Sequence, residues 1–132
     1  MGFFQKCIGF YPPKEKEQLL GIWERRGDEF SGCLIKVEKE AEELLGKIIV
    51  STPQMLEAGW KIGERKWRYI QSDSQERWKL LDLRKQYDTQ NKKVLSTDYT
   101  HYWVSLNHEG RKMSLHQSQI PLFAAQVWRK IG

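Results

Sequence analysis

From Leu19 onward the chain sets apolar against polar residues with the period of two that a strand requires. Cys33, Ile35 and Val37 share one face, while Lys36 and Glu38 point the other way. Lys66 to Gln71 sets Trp67 and Tyr69 against Lys66 and Arg68. Tyr99 to Leu106 is a long run rich in Thr, Tyr, Trp and Val, which pack well on a pleated surface. Shorter runs cover Leu19 to Trp23, Leu44 to Val50, Arg77 to Leu83, Arg111 to His116 and Gln126 to Ile131. With Phe30 to Glu38, the pattern predicts eight strands.

Turn chemistry separates them. Lys39-Glu40-Ala41-Glu42-Glu43 holds strong helix formers, but Gly46 follows too soon for a useful helix, so a hairpin is expected. Gly46 inside a β-branched run suggests a bulge or a sharp bend. Thr52-Pro53 is a helix start and Gly59 a stop, predicting one short helix between them. Ser72 to Gln75 reads as a turn, Asp88 to Lys93 as a polar loop, and Asn107 to Gly110 as a four-residue hairpin loop. Ile120 to Phe123 is an apolar loop that would cover the barrel floor. Short strands about ten residues apart indicate a sandwich or a barrel. Eight fit an up-and-down barrel, which also removes exposed edges. The expected fold is therefore all-β: one antiparallel barrel with one short helix. It forms a single domain over residues 1–132, the barrel spanning 19–131. Residues 1–18 carry Phe3, Phe4, Ile8, Phe10 and Tyr11 and are expected to pack across one end.

Composition narrows the class. A chain of 132 residues suits one domain, and 39% hydrophobic against 30% charged residues argues for a folded chain over a disordered one. The six Trp each need an acceptor for the indole N–H once buried. Net charge is +5, but acids and bases are interspersed, so the charge reads mainly as a solvated surface. Cys7 and Cys33 sit in no C-x-x-C and near no zinc-spaced histidines, which reads as two free thiols in a reducing compartment. Met1 to Cys7 lacks the apolar core of a secretory signal, and no run approaches the ~18 apolar residues of a membrane span. A cytoplasmic location is expected.

The outermost strands hold Gly21-Ile22-Trp23 and Gln126-Val127-Trp128-Arg129-Lys130. An aromatic on the first and a cation on the last could close the barrel, with Trp23 and Arg129 (or Lys130) as the pair; a cation over a Trp face contributes about 0.5–2 kcal/mol. In this the chain resembles calycin-type barrels, lipocalins included. Gly21-Ile22-Trp23, Gly46-Lys47-Ile48, Trp60-Lys61-Ile62-Gly63 and Gln126 to Lys130 stand in the order found in a bacterial family of lipocalin-like domains of unknown function. The resemblance implies an eight-stranded barrel and supplies no catalytic residue.

Such a barrel is either filled by side chains or just wide enough for one small molecule. Ile35, Val37, Trp67, Tyr69, His101, Trp103 and Met113 would line a cavity, with Ile48, Val50 and Leu81 beside them. They suit a small apolar or aromatic ligand, with His101 as a polar fixing group. The same residues would equally form a packed core, and His101 is more simply a structural histidine. A protein partner at the barrel mouth is the other binding mode. Nucleic acid is the rival: Trp60 to Tyr69 interleaves bases with aromatics, as single-strand binders do. Strand alternation produces the same pattern, and no phosphate-binding loop accompanies it. His101, His108 and His116 are spaced too widely for a helical metal pair, and Asp82 between Leu81 and Leu83 reads as solvent-facing. No catalytic residue, metal or cofactor is expected, and the reading is a noncatalytic binding protein.

Overall fold

A computed structural model describes residues 16–74, 77–118 and 123–132. The strands are β1 (Gly21–Arg26), β2 (Leu34–Glu40), β3 (Glu43–Val50), β4 (Arg65–Ser74), β5 (Arg77–Asp88), β6 (Lys93–Leu106), β7 (Lys112–His116) and β8 (Gln126–Lys130). Each pairs antiparallel with the next, and β8 returns to β1, so the sheet closes into the up-and-down barrel that the alternation predicts. Closure leaves the sheet without a first or last edge strand. A 3-10 turn (Lys16–Leu19) precedes β1, and its Leu19 is buried. The expected packing of residues 1–15, any pairing of Cys7, and most of the apolar loop at Ile120 to Phe123 lie outside the described residues.

Local choices follow the sequence where its signals are specific. The helix formers at 39–43 give way to a hairpin in which Glu40 opposes Glu43 and Ala41 takes a left-handed φ of 55°. Pairing of the apolar residues on either side outweighs helix propensity there. Helix α1 (Pro53–Glu57) starts as predicted: the Thr52 hydroxyl accepts from the Met55 N–H, and Pro53 occupies the first turn. Met55 is buried and packs in the core cluster. The β5–β6 hairpin runs further than the pattern suggests, with pairs from Arg84↔Asp98 out to Asp88↔Lys93. These residues carry little apolar alternation because much of this extension faces solvent. Polar pairs hold it, including Arg84–Asp98. Its root packs back on the barrel, where Lys85 Nζ donates to the Gly59 carbonyl at 2.7 Å and pairs with Glu64 at 2.6 Å.

Four tryptophans fill the interior. Trp23, Trp67, Trp78 and Trp128 have 0% exposure, as do Ile35, Ile48, Val104, Met113 and Leu115. A hollow able to hold even one water would leave accessible surface on its lining. The barrel is thus packed, the first of the two interiors open to eight strands. Trp67 and Trp128 meet edge to face at 4.9 Å between centroids, and Trp23 Nε1 donates to the Leu19 carbonyl at 2.9 Å.

The closing contact differs from expectation in one residue. Trp23 opposes Lys130, whose Nζ lies 5.8 Å from the Trp23 ring centroid. Arg129 does not close the barrel: Trp128 is buried, so alternation turns Arg129 to solvent, opposite Glu24. A second cation stacks nearby, with the Arg25 guanidinium 5.4 Å from the Trp128 ring.

The indole N–H groups are not treated equally. Trp78 Nε1 is buried and has no acceptor among the described residues, whereas Trp67 Nε1 donates to Asp82. An orphaned buried donor costs about 1–3 kcal/mol. Trp78→Phe should therefore destabilise less than Trp67→Phe, by about 1 kcal/mol or more, in urea unfolding. Equal losses would show that the two N–H groups are equivalent.

Candidate functional site

The site is made by β4, whose ladders carry three register shifts, the first two of which shape it. At the first, Gly46 opposes Trp67 and Lys47 opposes Arg65, so Lys66 is the extra residue of a bulge. A bulge breaks the alternation, and Lys66 and Trp67 are both buried. Gly46 is required opposite: a Cβ there would lie 2.8 Å from Trp67 Cε3 and 2.9 Å from Ile35 Cγ2. Lys66, expected to face solvent, instead donates to Asp82 Oδ1 at 2.7 Å and to the Leu83 carbonyl at 2.8 Å.

Asp82 is the hub of a closed polar network. Its carboxylate also accepts from Trp67 Nε1 at 3.0 Å and Gln126 Nε2 at 3.2 Å, and Gln126 Oε1 accepts from Trp128 Nε1 at 3.0 Å. The sequence pattern points Asp82 to solvent, but the structure buries it. The missed signal is its place on the period-two face of Trp78 and Leu80, both buried. Burial pulls the Lys66 ammonium below its ordinary range, and Asp82 opposes that shift. Cys33 is buried nearby, and burial pushes its thiol up to about 11, so it stays protonated at neutral pH. These groups hold the barrel together from within.

At the second irregularity, Arg68 opposes Leu81 and Gln71 opposes Lys79, again leaving one residue extra on β4. Tyr69 takes a φ of 53°, an outlier for an aromatic residue. Ile70 is thereby turned in and Tyr69 turned out, to 54% exposure. The expectation that Tyr69 lines the interior is corrected by this bulge. His101 and Trp103 are corrected by register: Tyr102 and Val104 are the buried residues of β6, so their neighbours face outward. The two rings meet edge to face there, 4.4 Å apart. β6 has large groups on both parities, so alternation alone could not choose its inner face. Val50 is exposed and Leu81 half-buried. Ile35, Val37, Trp67 and Met113 do point inward, as packed core.

Beyond the Gly46–Trp67 pair, β3 and β4 share no further ladder pair. Glu43 takes over. Its carboxylate accepts from Arg68 Nη2 at 2.8 Å, Arg68 Nε at 3.2 Å and the Tyr69 backbone N–H at 3.0 Å. A cleft of about 470 Å³ opens here, lined by residues that include Glu43, Leu44 and Leu45 of β3 and Tyr69, Ile70 and Gln71 of β4. Arg65 and Lys16 sit on its rim. Neither Glu43 nor the seam stood out in the sequence, because only the tertiary register leaves these strands unpaired.

The basic and aromatic stretch from Trp60 to Tyr69 does not form a continuous surface. Trp60, Lys66 and Trp67 are buried, while Arg65 pairs with Glu40 and Arg68 with Glu43. His116 is buried, its ring nitrogens 3.2 Å from the Phe123 carbonyl and 3.3 Å from Ser105 Oγ. No cluster of three or more His, Cys, Asp or Glu that could hold a metal occurs among the described residues. Nor is any helix there long and apolar enough to cross a membrane.

Two outcomes follow. Asp82→Ala leaves the Lys66 ammonium buried without its partner and should cost about 3–5 kcal/mol in urea unfolding. Adding Lys66→Met should recover part of that loss; no recovery would mean the charge pair is not the source. Glu43 is held below the ordinary glutamate range, first by the Arg68 hydrogen bonds. Its stabilising contribution is present above the unfolded carboxylate value and is lost as pH falls through the lower folded value. Glu43→Gln should therefore flatten the decline in stability below about pH 4.5. An unchanged acid limb would exclude Glu43 as a contributor.

No family model matches this chain, and no match is found among curated proteins or solved structures.

Proposed function

We propose that the protein is a noncatalytic binding module that takes an extended segment of a protein partner at the open seam between β3 and β4. One observation carries this reading: Tyr69 is exposed in a left-handed backbone conformation that Glu43 secures by accepting from its N–H. A carboxylate thus stands where the carbonyl of a neighbouring strand would be. Strained, exposed aromatics of this kind concentrate at binding surfaces. An extended peptide meets such a seam through backbone hydrogen bonds, with alternate side chains entering the cleft. The cleft volume falls within the ~300–1,000 Å³ of ligand pockets. Its lining mixes Glu40, Glu42 and Arg65 with Leu44 and Ile70, which suits a peptide better than a purely apolar molecule.

The packed interior argues against a small apolar ligand inside the barrel. The ordered Gly21-Ile22-Trp23, Gly46-Lys47-Ile48 and Gln126 to Lys130 elements, on an eight-stranded barrel, support a place among calycin-type folds. In that reading the ligand site has moved from the centre to the wall.

Panning a random peptide library against the whole protein tests the proposal. Enriched peptides should alternate apolar and polar residues and shift backbone amide resonances at 43–47 and 65–71. Tyr69→Ala should weaken them about tenfold, as loss of an interface tyrosine does, and Ile62→Ala, an exposed apolar control, should not. No enrichment, or shifts confined elsewhere, would overturn the seam as the site.

A further inference from the structure

The charge of the chain is not evenly spread. Between Tyr99 and Gly132 the only acid is Glu109, against Arg111, Lys112, Arg129 and Lys130. Lys130 is committed to the Trp23 ring. The other three are available. Lys112 and Arg129 are directly opposed in the β7–β8 ladder, and both are exposed. Arg111 immediately precedes Lys112 and is also exposed. Like charges facing each other across a sheet are destabilising. On the far side of Arg129 stands Glu24, but its carboxylate bonds Arg26 at 3.2 Å. Among the described residues no carboxylate pairs with Arg111, Lys112 or Arg129. This contrasts with the opposite side of the barrel, where Lys47, Arg65, Arg68 and Lys85 are all paired with glutamates.

The same outer face carries aromatic rings at its other end. Trp103 opposes His116 across β6–β7, and its ring meets that of exposed His101. Phe123 is 87% exposed, and its carbonyl is held at the His116 ring. From Lys112 to His116 is four residues of strand, about 13 Å at the usual rise. Cations for phosphates and rings for bases thus lie within reach of one oligonucleotide, the combination that single-strand binding needs.

We propose that the outer face of β6, β7 and β8 binds single-stranded nucleic acid, with Arg111, Lys112 and Arg129 on phosphates and Trp103 and Phe123 under bases. The surface is separate from the β3–β4 seam and does not depend on it.

The test is fluorescence anisotropy of the full chain with a labelled oligothymidylate of about 15 nucleotides, a length that covers a small-barrel site. Affinity should fall with salt with a logarithmic slope near −2, as about three phosphate contacts on a single strand give. Lys112→Glu with Arg129→Glu should weaken binding about tenfold or more. Lys92→Glu with Lys93→Glu, exposed and equal in charge change, should leave it within about twofold. Lys112→Gln with Arg129→Gln should give an intermediate loss and serves if the reversal variant misfolds. Phe123→Ala should weaken binding without altering the salt slope. Equal losses from the two reversal pairs would reduce the effect to net charge and overturn the site. So would no binding at about 50 mM salt, where phosphate contacts are strongest. Equal affinity for a duplex of the same length, or no effect of Phe123→Ala, would overturn the base contacts and with them the single-strand assignment.

Discussion

The barrel depends on one buried carboxylate. Asp82 of β5 gathers a lysine and an indole from β4 and, through Gln126, an amide and a second indole from β8. Strands that are not neighbours in the sheet are thereby tied across the interior. A buried ion pair contributes little net stability after desolvation, but removing one member leaves a charge that nothing else can satisfy. Its consequence is register. Only the pairing that places Lys66 in a bulge beside Trp67 brings the ammonium to Asp82. Lys66 Nζ also lies 4.5 Å from the Trp60 ring centroid, so the loop after α1 is anchored to the same centre.

The packing of the core and the proposed seam site both depend on β4. Trp67 fills the middle of the barrel because Gly46 leaves room for its ring. Beyond Trp67 the ladder to β3 has ended and the strand slips by one residue, so Ile70 fills the core and Tyr69 is displayed. The strain at Tyr69 is offset locally by Glu43, whose carboxylate satisfies both the Arg68 guanidinium and the Tyr69 N–H. A filled interior and an irregular wall are two results of the same bulged strand. The face of β7 and β8 is regular by comparison, and there the distinctive feature is charge that no carboxylate among the described residues pairs with.

Much of the architecture was legible. Strand number, antiparallel order, the hairpin at 40–43, the capped turn at Thr52 and the approach of the first and last strands all follow from local signals, whereas the bulge opposite Gly46 falls on β4 at Lys66. The site was less so. Ile35, Val37 and Met113 fell inside because their strands keep alternation at those residues, and Trp67 did so although the bulge at Lys66 directly precedes it. Tyr69 fell outside because a bulge intervened, and His101 and Trp103 because β6 presents large groups on both faces. Asp82 and Lys66 were misassigned because a charged residue on an apolar strand reads as solvent-facing until its partner is known.

Sequence alone determined that this chain forms a succession of antiparallel strands, since a period of two between turn residues is a local property that any register preserves. Which side of each strand faces inward was decided by tertiary structure. A bulge inserts one residue and inverts everything after it, and its position is set by what lies across the ladder: a glycine opposite Trp67, a carboxylate waiting for Lys66. Those partners are distant in the chain, so no window of residues contains the information. Even the choice of Lys130 over Arg129 beside Trp23 rested on which parity Trp128 took when the barrel closed.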